Sequence, residues 1–223
     1  MTTTCTIVPL KSFNHSKTRL APVLSAAERA TIARLMALDV LRTLTAAPDV
    51  DRVLIVGQTV DHAQLAAELN CDFMDDDPDL DVSGNVARAA ELVAAAGTET
   101  LLYLPADLPL LTVRDISTLF EMHSGGITIS RAQRDNGTNA LLASPPAAAS
   151  FSFGSDSADR HYAAARAAGL PVRVLDIAAF ARDIDEPRDL EWLCRHCRTG
   201  ATAEYLHRSG FAGRFRLATG AAC

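Results

Sequence analysis

The chain lacks the glycine-rich loops that mark the most common phosphate-binding folds. Neither the G-x-G-x-x-G pattern of dinucleotide-binding proteins nor the G-x-x-x-x-G-K-[ST] pattern of P-loop proteins follows the first predicted strand. These absences argue against a nicotinamide or flavin dinucleotide site and against an ordinary P-loop ATPase. A bound polyphosphate would instead be neutralised by lysine and arginine side chains.

The sequence also lacks long apolar runs and an excess of positive charge. No apolar run approaches the roughly 20 residues needed to cross a bilayer. The first residues show no basic segment followed by an apolar one, the pattern of a secretory signal. The formal net charge of -6 argues against non-specific nucleic-acid binding. We therefore expect a cytoplasmic protein without a membrane or nucleic-acid partner.

Cysteine is present but forms no complete metal-binding pattern. There are 5 cysteines, an odd number, and Cys194 and Cys197 have the spacing of half a zinc site. The other cysteines form no second pair at ligand spacing. Reduced structural thiols are the simpler interpretation.

Strand-like and helix-like segments alternate along the 223 residues. This order predicts one three-layer α/β domain with a mostly parallel central sheet over residues 1–199, followed by a tail over 200–223. Among the predicted helices, one opens at the capping box Ser25–Glu28, one is introduced by Ser83, Gly84 and Asn85, and one is capped by Ser157.

A single aspartate follows the apolar strand predicted at residues 100–104. Asp107 lies between Pro105 and Pro109, which end the strand. The carboxyl edge of an open α/β sheet is where ligands bind, and a carboxylate held there can bind a divalent cation. The alternative is that Asp107 only caps a turn.

A second acidic segment, Asp183-Ile184-Asp185, precedes Pro187. An extended D-x-D segment places both carboxylates on one side, where they can meet an acid from another strand end. Three such acids form a metal site that can bridge phosphates. The alternative is that Asp185 caps the helix that begins near Pro187.

Two further groups could hold anions. Lys11, Lys17 and Arg19 follow the first strand, where a doubly wound fold holds phosphate; the alternative is a solvated basic loop. The segments 136–139 and 153–157 are polar, and the second lies at a predicted helix amino terminus whose backbone amides can bind an anion. Both segments could equally be ordinary turns and caps.

The motifs taken together resemble one family. Their order is similar to that of the CofC/FbiD guanylyltransferases of coenzyme F-420 biosynthesis, relatives of the MobA-like nucleotidyltransferases. The resemblance runs from about Thr4 to Leu193 and rests on residues 8–20, Pro105-Ala106-Asp107-Leu108-Pro109, Gly137-Thr138-Asn139-Ala140, Phe153-Gly154 with Ser157 and His161, and Asp183-Ile184-Asp185 with Pro187, Asp189 and Leu190.

The resemblance implies a Rossmann-like nucleotide-diphospho-sugar transferase fold and a Mg²⁺-dependent transfer of GMP from GTP. The acceptor would be 2-phospho-L-lactate, phosphoenolpyruvate or 3-phospho-D-glycerate, and pyrophosphate would be released. The implied site residues are Asp107, Asp183 and Asp185 for the metal; Lys11, Lys17 and Arg19 for the triphosphate, with Asp107, Lys17 and Arg19 catalytic; Pro9, Gly84 and Asn85 for the nucleotide; and Thr138, Gly154 and Ser157 for the acceptor's carboxylate.

Other interpretations stay open at this point. A MobA-like transferase acting on a molybdopterin or sugar phosphate and a non-catalytic nucleotide-binding module share the same fold. Where relatives commonly show G-L-N, this chain has Ser83-Gly84-Asn85, and the segment 154–159 is more acidic than in relatives. Homodimerisation, transient transfer of product to the next enzyme, and the identity of the acid are not fixed by the residues.

Overall fold

One mixed β-sheet runs through the centre of the molecule. The computed structural model describes residues 3–211. Its strands are β1 (Thr4–Pro9), β2 (Arg52–Gly57), β3 (Asp72–Asp75), β4 (Thr100–Tyr103), β5 (Gly126–Arg131), β6 (Thr138–Ser144) and β7 (Val172–Leu175). They lie in the order β3-β2-β1-β4-β6-β5-β7. Strand β6 is antiparallel to β4 and β5, and the other pairings are parallel. The predicted mostly parallel α/β sheet is therefore confirmed.

Helices cover both faces of this sheet. They are α1 (Ala26–Ala46), α2 (Val60–Glu68), α3 (Val82–Ala95), α4 (Val113–Glu121), α5 (Ser157–Ala167), α6 (Pro187–His196) and α7 (Ala201–Arg208). Alternate residues of each strand face opposite sides. In β1, Val8 packs towards α1, α2 and α4, whereas Ile7 packs towards α3 and α5. This alternation produces the predicted three layers.

The helix starts confirm some sequence expectations and correct others. Ser25 and Glu28 form the predicted capping box of α1. Helix α3 begins earlier than expected, because Asp81 is its cap and accepts a hydrogen bond from the Gly84 amide. Helix α5 is preceded by Asp156 in a left-handed conformation, so Ser157 is its first residue and not its cap.

The chain packs continuously beyond residue 199. Asp39 of α1 accepts hydrogen bonds from the backbone N–H groups of Ala201 (2.7 Å) and Thr202 (2.8 Å), at the amino terminus of α7. Leu206 and Phe211 are buried in a third apolar cluster with residues of α1 and α6. The part of the predicted tail that the structure describes, residues 200–211, is thus packed on the domain.

The reversed strand β6 decides which residues meet. The parallel strands β1 and β4 end at one edge of the sheet, and the antiparallel strand β6 begins there. The strand order also changes direction beside β1, which creates a crevice at this edge. Across residues 3–211, no helix has the length and apolar character to cross a membrane.

Candidate active site

Two adjoining clefts open at the carboxyl edge of β1 and β4. The first, which we call the loop cleft, measures about 590 Å³ and lies between the loop after β1 and the start of α3, with Pro9 in its wall. The second, the turn cleft, measures about 430 Å³ and is bounded by the 134–139 turn and the Gly154–Ser157 segment. The two clefts share a wall in which Tyr103 and Phe153 stack with ring centroids 3.9 Å apart. They also share Lys11, Lys17, Asp107 and Asp185.

Three carboxylates meet at the junction of the clefts. Asp107, Asp183 and Asp185 each offer one oxygen within 4.8 Å of the others. The Ile184 amide donates to the Asp107 carbonyl (3.2 Å), which fastens the two acidic segments together. Ile184 itself is buried in the apolar cluster behind them. The extended D-x-D segment therefore directs both its acids to one side. Their role as metal ligands stays a prediction.

Two cations lie among these acids. The Lys17 ammonium is 2.7 Å from Asp107 Oδ2 and 2.8 Å from Asp185 Oδ1. One guanidinium nitrogen of Arg134, Nη2, is 2.7 Å from both Asp183 Oδ2 and Asp185 Oδ2. Lys17 has a left-handed backbone (φ 54°, ψ 40°), a conformation that is costly for residues other than glycine. The cluster is thus an interleaved set of opposite charges.

The other two predicted cations are peripheral. Arg19 lies 3.7 Å from Asp185, and 64% of its side chain is exposed. Lys11 is exposed and lines both clefts. Neither is held as tightly as Lys17.

The charges shift one another's pKa values. Burial, followed by the carboxylates of Asp107 and Asp185, raises the pKa of Asp183 to about 6. Burial also opposes ionisation of Asp185, but Lys17 and Arg134 outweigh it and lower the pKa of Asp185 to about 2. Burial lowers the pKa of Lys17, yet Asp107 and Asp185 leave it above its ordinary value. The lysine therefore stays charged, and Asp183 titrates closer to neutral pH than Asp185 does.

Sequence reasoning missed Arg134 and the structural role of Asp189. Arg134 also lies 3.4 Å from Asp189, whose carboxylate accepts the backbone N–H of Glu186. This bond belongs to the capping box of α6, where Glu186 is the cap. A lone arginine in a polar turn gives no sequence signal, because its partners lie about 50 residues away. Asp189, two residues after Pro187, could have been found as a capping-box residue.

The predicted acceptor residues gather in the turn cleft. Thr138 begins β6, and the Ser157 hydroxyl donates to Thr138 Oγ1 over 3.0 Å. Gly154 has a φ of 113°, which only glycine adopts without strain. The side chain of Ser157 is fully buried. The structure therefore places Thr138 and Gly154 at the cleft surface with Ser157 behind them.

The backbone amides differ from the expected pattern. The N–H groups of Asp156, Ser157 and Ala158 donate to the carbonyls of Asp135, Gly154 and Asn136, so they are not available to a ligand. Within residues 3–211, the N–H groups of Gly154 and Ser155 have no protein acceptor. The available donors precede the helix instead of forming its first turn.

Gly84 and Asn85 do not line either cleft. The buried Asn85 amide accepts from the Asp77 N–H (2.7 Å) and donates to the Asp77 carbonyl (3.0 Å). A side chain on Gly84 would come within 3.2 Å of Leu80. These residues shape the 77–81 loop, while Asp81, Val82 and Ser83 line the loop cleft. Gly84 and Asn85 thus lie directly behind the cleft-lining Ser83, and their role in nucleotide binding stays a prediction.

Comparison with known proteins agrees with the geometry. The family model described as guanylyl transferase CofC like matches residues 4–221. The chain is 34% identical over 203 residues to the phosphoenolpyruvate guanylyltransferase of Sphaerobacter thermophilus, covering 91% of this chain and 98% of that protein. It is 32% identical over 208 residues to the 2-phospho-L-lactate guanylyltransferase of Methanothermobacter thermautotrophicus, covering 93% of this chain and 92% of that protein.

Solved structures show the same fold. A Desulfovibrio desulfuricans G20 protein assigned as a nucleotide-diphospho-sugar transferase matches with a TM-score of 0.79 at 19% identity, covering 96% of this chain and 99% of that chain. A 4-diphosphocytidyl-2C-methyl-D-erythritol synthase matches with a TM-score of 0.61 at 12% identity, covering 86% of this chain and 98% of that chain. The resemblance seen in the motifs is confirmed, and the chain belongs to the CofC-like guanylyl transferase family of nucleotidyltransferases.

Proposed function

We propose that this protein transfers GMP from GTP to a small phosphorylated carboxylic acid and releases pyrophosphate, as a step of coenzyme F-420 biosynthesis. The single observation that carries the proposal is the cluster of three acids and two cations at the junction of two clefts. A nucleotidyl transfer needs two anionic substrates aligned on one phosphorus atom, and two clefts with a shared charged centre suit this need.

Magnesium fits the residues present. Asp107 Oδ1 is buried and has no hydrogen-bond partner within residues 3–211, so one oxygen of the acidic trio is left unsatisfied. All three donors are carboxylates, the ligand type that Mg²⁺ prefers. Asp107, Asp183 and Asp185 would hold the ion. Bound there, it would supply positive charge to phosphate oxygens.

The remaining chemistry falls to the chain's own side chains. An oxygen of the acceptor's phosphate forms the new bond to the α-phosphorus of GTP, and the bond from that phosphorus to the departing pyrophosphate breaks. The attacking phosphate is already an anion, so no general base is required. Lys17 and Arg19 would neutralise charge that develops on the triphosphate, and Lys11 would hold its outer oxygens.

The turn cleft would hold the acceptor. Thr138 and the amides of Gly154 and Ser155 are hydrogen-bond donors suited to a carboxylate. Arg134 would lie near the acceptor's phosphate while it restrains Asp183 and Asp185. Selection among the three candidate substrates, 2-phospho-L-lactate, phosphoenolpyruvate and 3-phospho-D-glycerate, would then depend on the shape of this cleft beside the Tyr103–Phe153 wall.

The test is pyrophosphate release from GTP and Mg²⁺ with 2-phospho-L-lactate, phosphoenolpyruvate or 3-phospho-D-glycerate supplied one at a time. Mass spectrometry of the product identifies the transferred group. A parallel series includes the next enzyme of the pathway and its deazaflavin acceptor, because the product can be labile. We expect release with one acid and its loss when ATP or CTP replaces GTP. If the protein binds GTP but releases no pyrophosphate with any of the three substrates, the proposal is contradicted. That result would favour another acceptor or a non-catalytic module.

A further inference from the structure

The hydrogen bonds around His161 define the tautomer of its ring. The backbone N–H of Ser152 donates to His161 Nε2 over 2.9 Å, so Nε2 must carry a lone pair. The single proton of a neutral imidazole then lies on Nδ1. Burial, with a further effect from Arg160, lowers the pKa of His161 to about 4, which agrees with a neutral ring.

This tautomer has a consequence for Thr138. Nδ1 is 2.9 Å from Thr138 Oγ1 and, because it carries the proton, it donates to that oxygen. The Ser157 hydroxyl donates to the same oxygen over 3.0 Å. Both acceptor positions of the threonine hydroxyl are therefore occupied, since a hydroxyl has two lone pairs and one proton. The hydroxyl proton of Thr138 is left to donate to a ligand in the turn cleft that Thr138 lines.

His161 also fastens the other wall of the same cleft. Its bond to Ser152 holds the start of the 152–155 loop, in which Gly154 and Ser155 present their amides. The neighbouring Arg160 donates to the carbonyls of Ser152, Phe153 and Ser155 (3.0, 3.2 and 2.6 Å). His161 thus forms hydrogen bonds both to Thr138 on β6 and to Ser152 of the loop.

We infer that His161 is a positioning residue that fixes the Thr138 hydroxyl as a hydrogen-bond donor to the acceptor's anionic oxygens. The inference rests on the proposed function, because it assigns the turn cleft to a carboxylate-bearing acceptor. It predicts that loss of the hydrogen bond between Nδ1 and Thr138 weakens binding of the acceptor and leaves binding of GTP unchanged.

Two substitutions separate the two bonds of the ring. In His161→Asn the side-chain amide nitrogen is bonded directly to Cγ, as Nδ1 is in histidine. It can therefore still donate to Thr138 but cannot reach Ser152. In His161→Gln the side-chain amide oxygen lies two bonds from Cγ, as Nε2 does in histidine. It can therefore still accept from the Ser152 N–H, but the side chain no longer donates to Thr138. His123→Asn is the control, since both ring nitrogens of this histidine also form hydrogen bonds, here to the hydroxyls of Thr128 (2.8 Å) and Ser144 (2.9 Å), and it lies outside both clefts.

The measurement is KM for the acceptor and KM for GTP in each variant, with thermal unfolding as a check on folding. We expect His161→Gln to raise the acceptor KM at least about tenfold, the effect of losing a hydrogen bond to a charged group, with the GTP KM unchanged. His161→Asn should stay within about threefold of the parent, because the donor to Thr138 is kept and Arg160 still holds the 152–155 loop through three carbonyls. Equal acceptor effects in both variants, or equal effects on acceptor and GTP, would overturn the inference.

A second readout does not depend on activity. ¹⁵N NMR of the imidazole nitrogens in the full chain reports which one carries the proton. Protonated Nδ1 with unprotonated Nε2 supports the inference, and the opposite tautomer overturns it whatever the turnover. An inactive parent protein with protonated Nδ1 would refute the proposed acceptors while the donor role of Thr138 stands, so the two failures can be told apart.

Discussion

The carboxylates of the site lie close to the cations Lys17 and Arg134. They are Asp107, Asp183, Asp185 and Asp189. Removal of one of these carboxylates should affect activity and stability unequally. Asp107 is half-buried and is paired with Lys17 in a bond of 2.7 Å. If Asp107 is removed, Lys17 stays paired with Asp185 at 2.8 Å, so we expect only a small cost to folding. As a ligand of the metal, however, the same carboxylate would act on every turnover.

We therefore expect Asp107→Asn to lower pyrophosphate release at least about a hundredfold, as loss of a transition-state contact does. The melting temperature should shift by less than about 4 °C. Asp72→Asn is the control, because it breaks an ion pair of the same length, 2.7 Å to Arg52, at the opposite edge of the sheet. Retained Mg²⁺-dependent activity in Asp107→Asn would remove this residue from the mechanism.

Asp183 makes the metal-free protein sensitive to pH. Its pKa is raised from 3.8 to about 6, so between these values the folded state binds more protons than the unfolded state. Stability therefore falls as pH rises through this window. The Asp183→Asn variant, which cannot ionise, should resemble the parent near pH 4. It should exceed the parent's free energy of unfolding by about 1–3 kcal/mol above pH 6.

Urea unfolding with a metal chelator at pH 4.5 and pH 7.5 measures this difference. A gap between parent and variant that does not grow with pH would show that Asp183 is not the titrating acid. Addition of Mg²⁺ at pH 7.5 should narrow the gap, because a bound cation stabilises the ionised parent.

At the scale of single elements, the contact between α1 and α7 illustrates a cap that comes from outside the helix. Asp39 is 8% exposed and accepts from two backbone N–H groups of α7. Asp39→Ala removes both bonds and leaves two helix N–H groups unsatisfied, of which that of Thr202 is buried. We expect a loss of about 2–3 kcal/mol in the free energy of unfolding. Thr112→Ala, which removes a local cap of α4, should cost only about 1 kcal/mol.

Local sequence signals predicted most elements but not this contact. Capping boxes, prolines and apolar strands predicted the sheet and the start of α1, because those signals act within a few residues. Asp39 and Ala201 are 162 residues apart, so no local pattern links them. For the same reason Asp107, Asp183 and Asp185 could be grouped from strand-end logic, whereas Arg134 could not. The amides of the first turn of α5 were expected to bind an anion, but they donate to carbonyls of the preceding residues, whereas the Gly154 amide has no protein acceptor within residues 3–211.

At the scale of the whole molecule, the reversal of β6 has a consequence for how the protein can be altered. Every strand except β6 starts at the edge of the sheet opposite the clefts, within the residues that the structure describes, and β6 ends there. The turn at Ser124 and Gly125 belongs to this far edge. Ser124 is exposed, and a side chain on Gly125 would meet nothing within 4 Å.

We expect a flexible insert of about ten residues between Ser124 and Gly125 to leave pyrophosphate release within about twofold, since exposed turn tips tolerate insertion. The same insert between Gly154 and Ser155 should abolish release with the melting temperature little changed. Equal losses at the two positions would mean that the edges are mechanically coupled. If the two inserts differ in this way, the far edge is a suitable point for attaching another protein. A second enzyme fused there would leave both clefts open, so the two enzymes could work in sequence within one fusion protein.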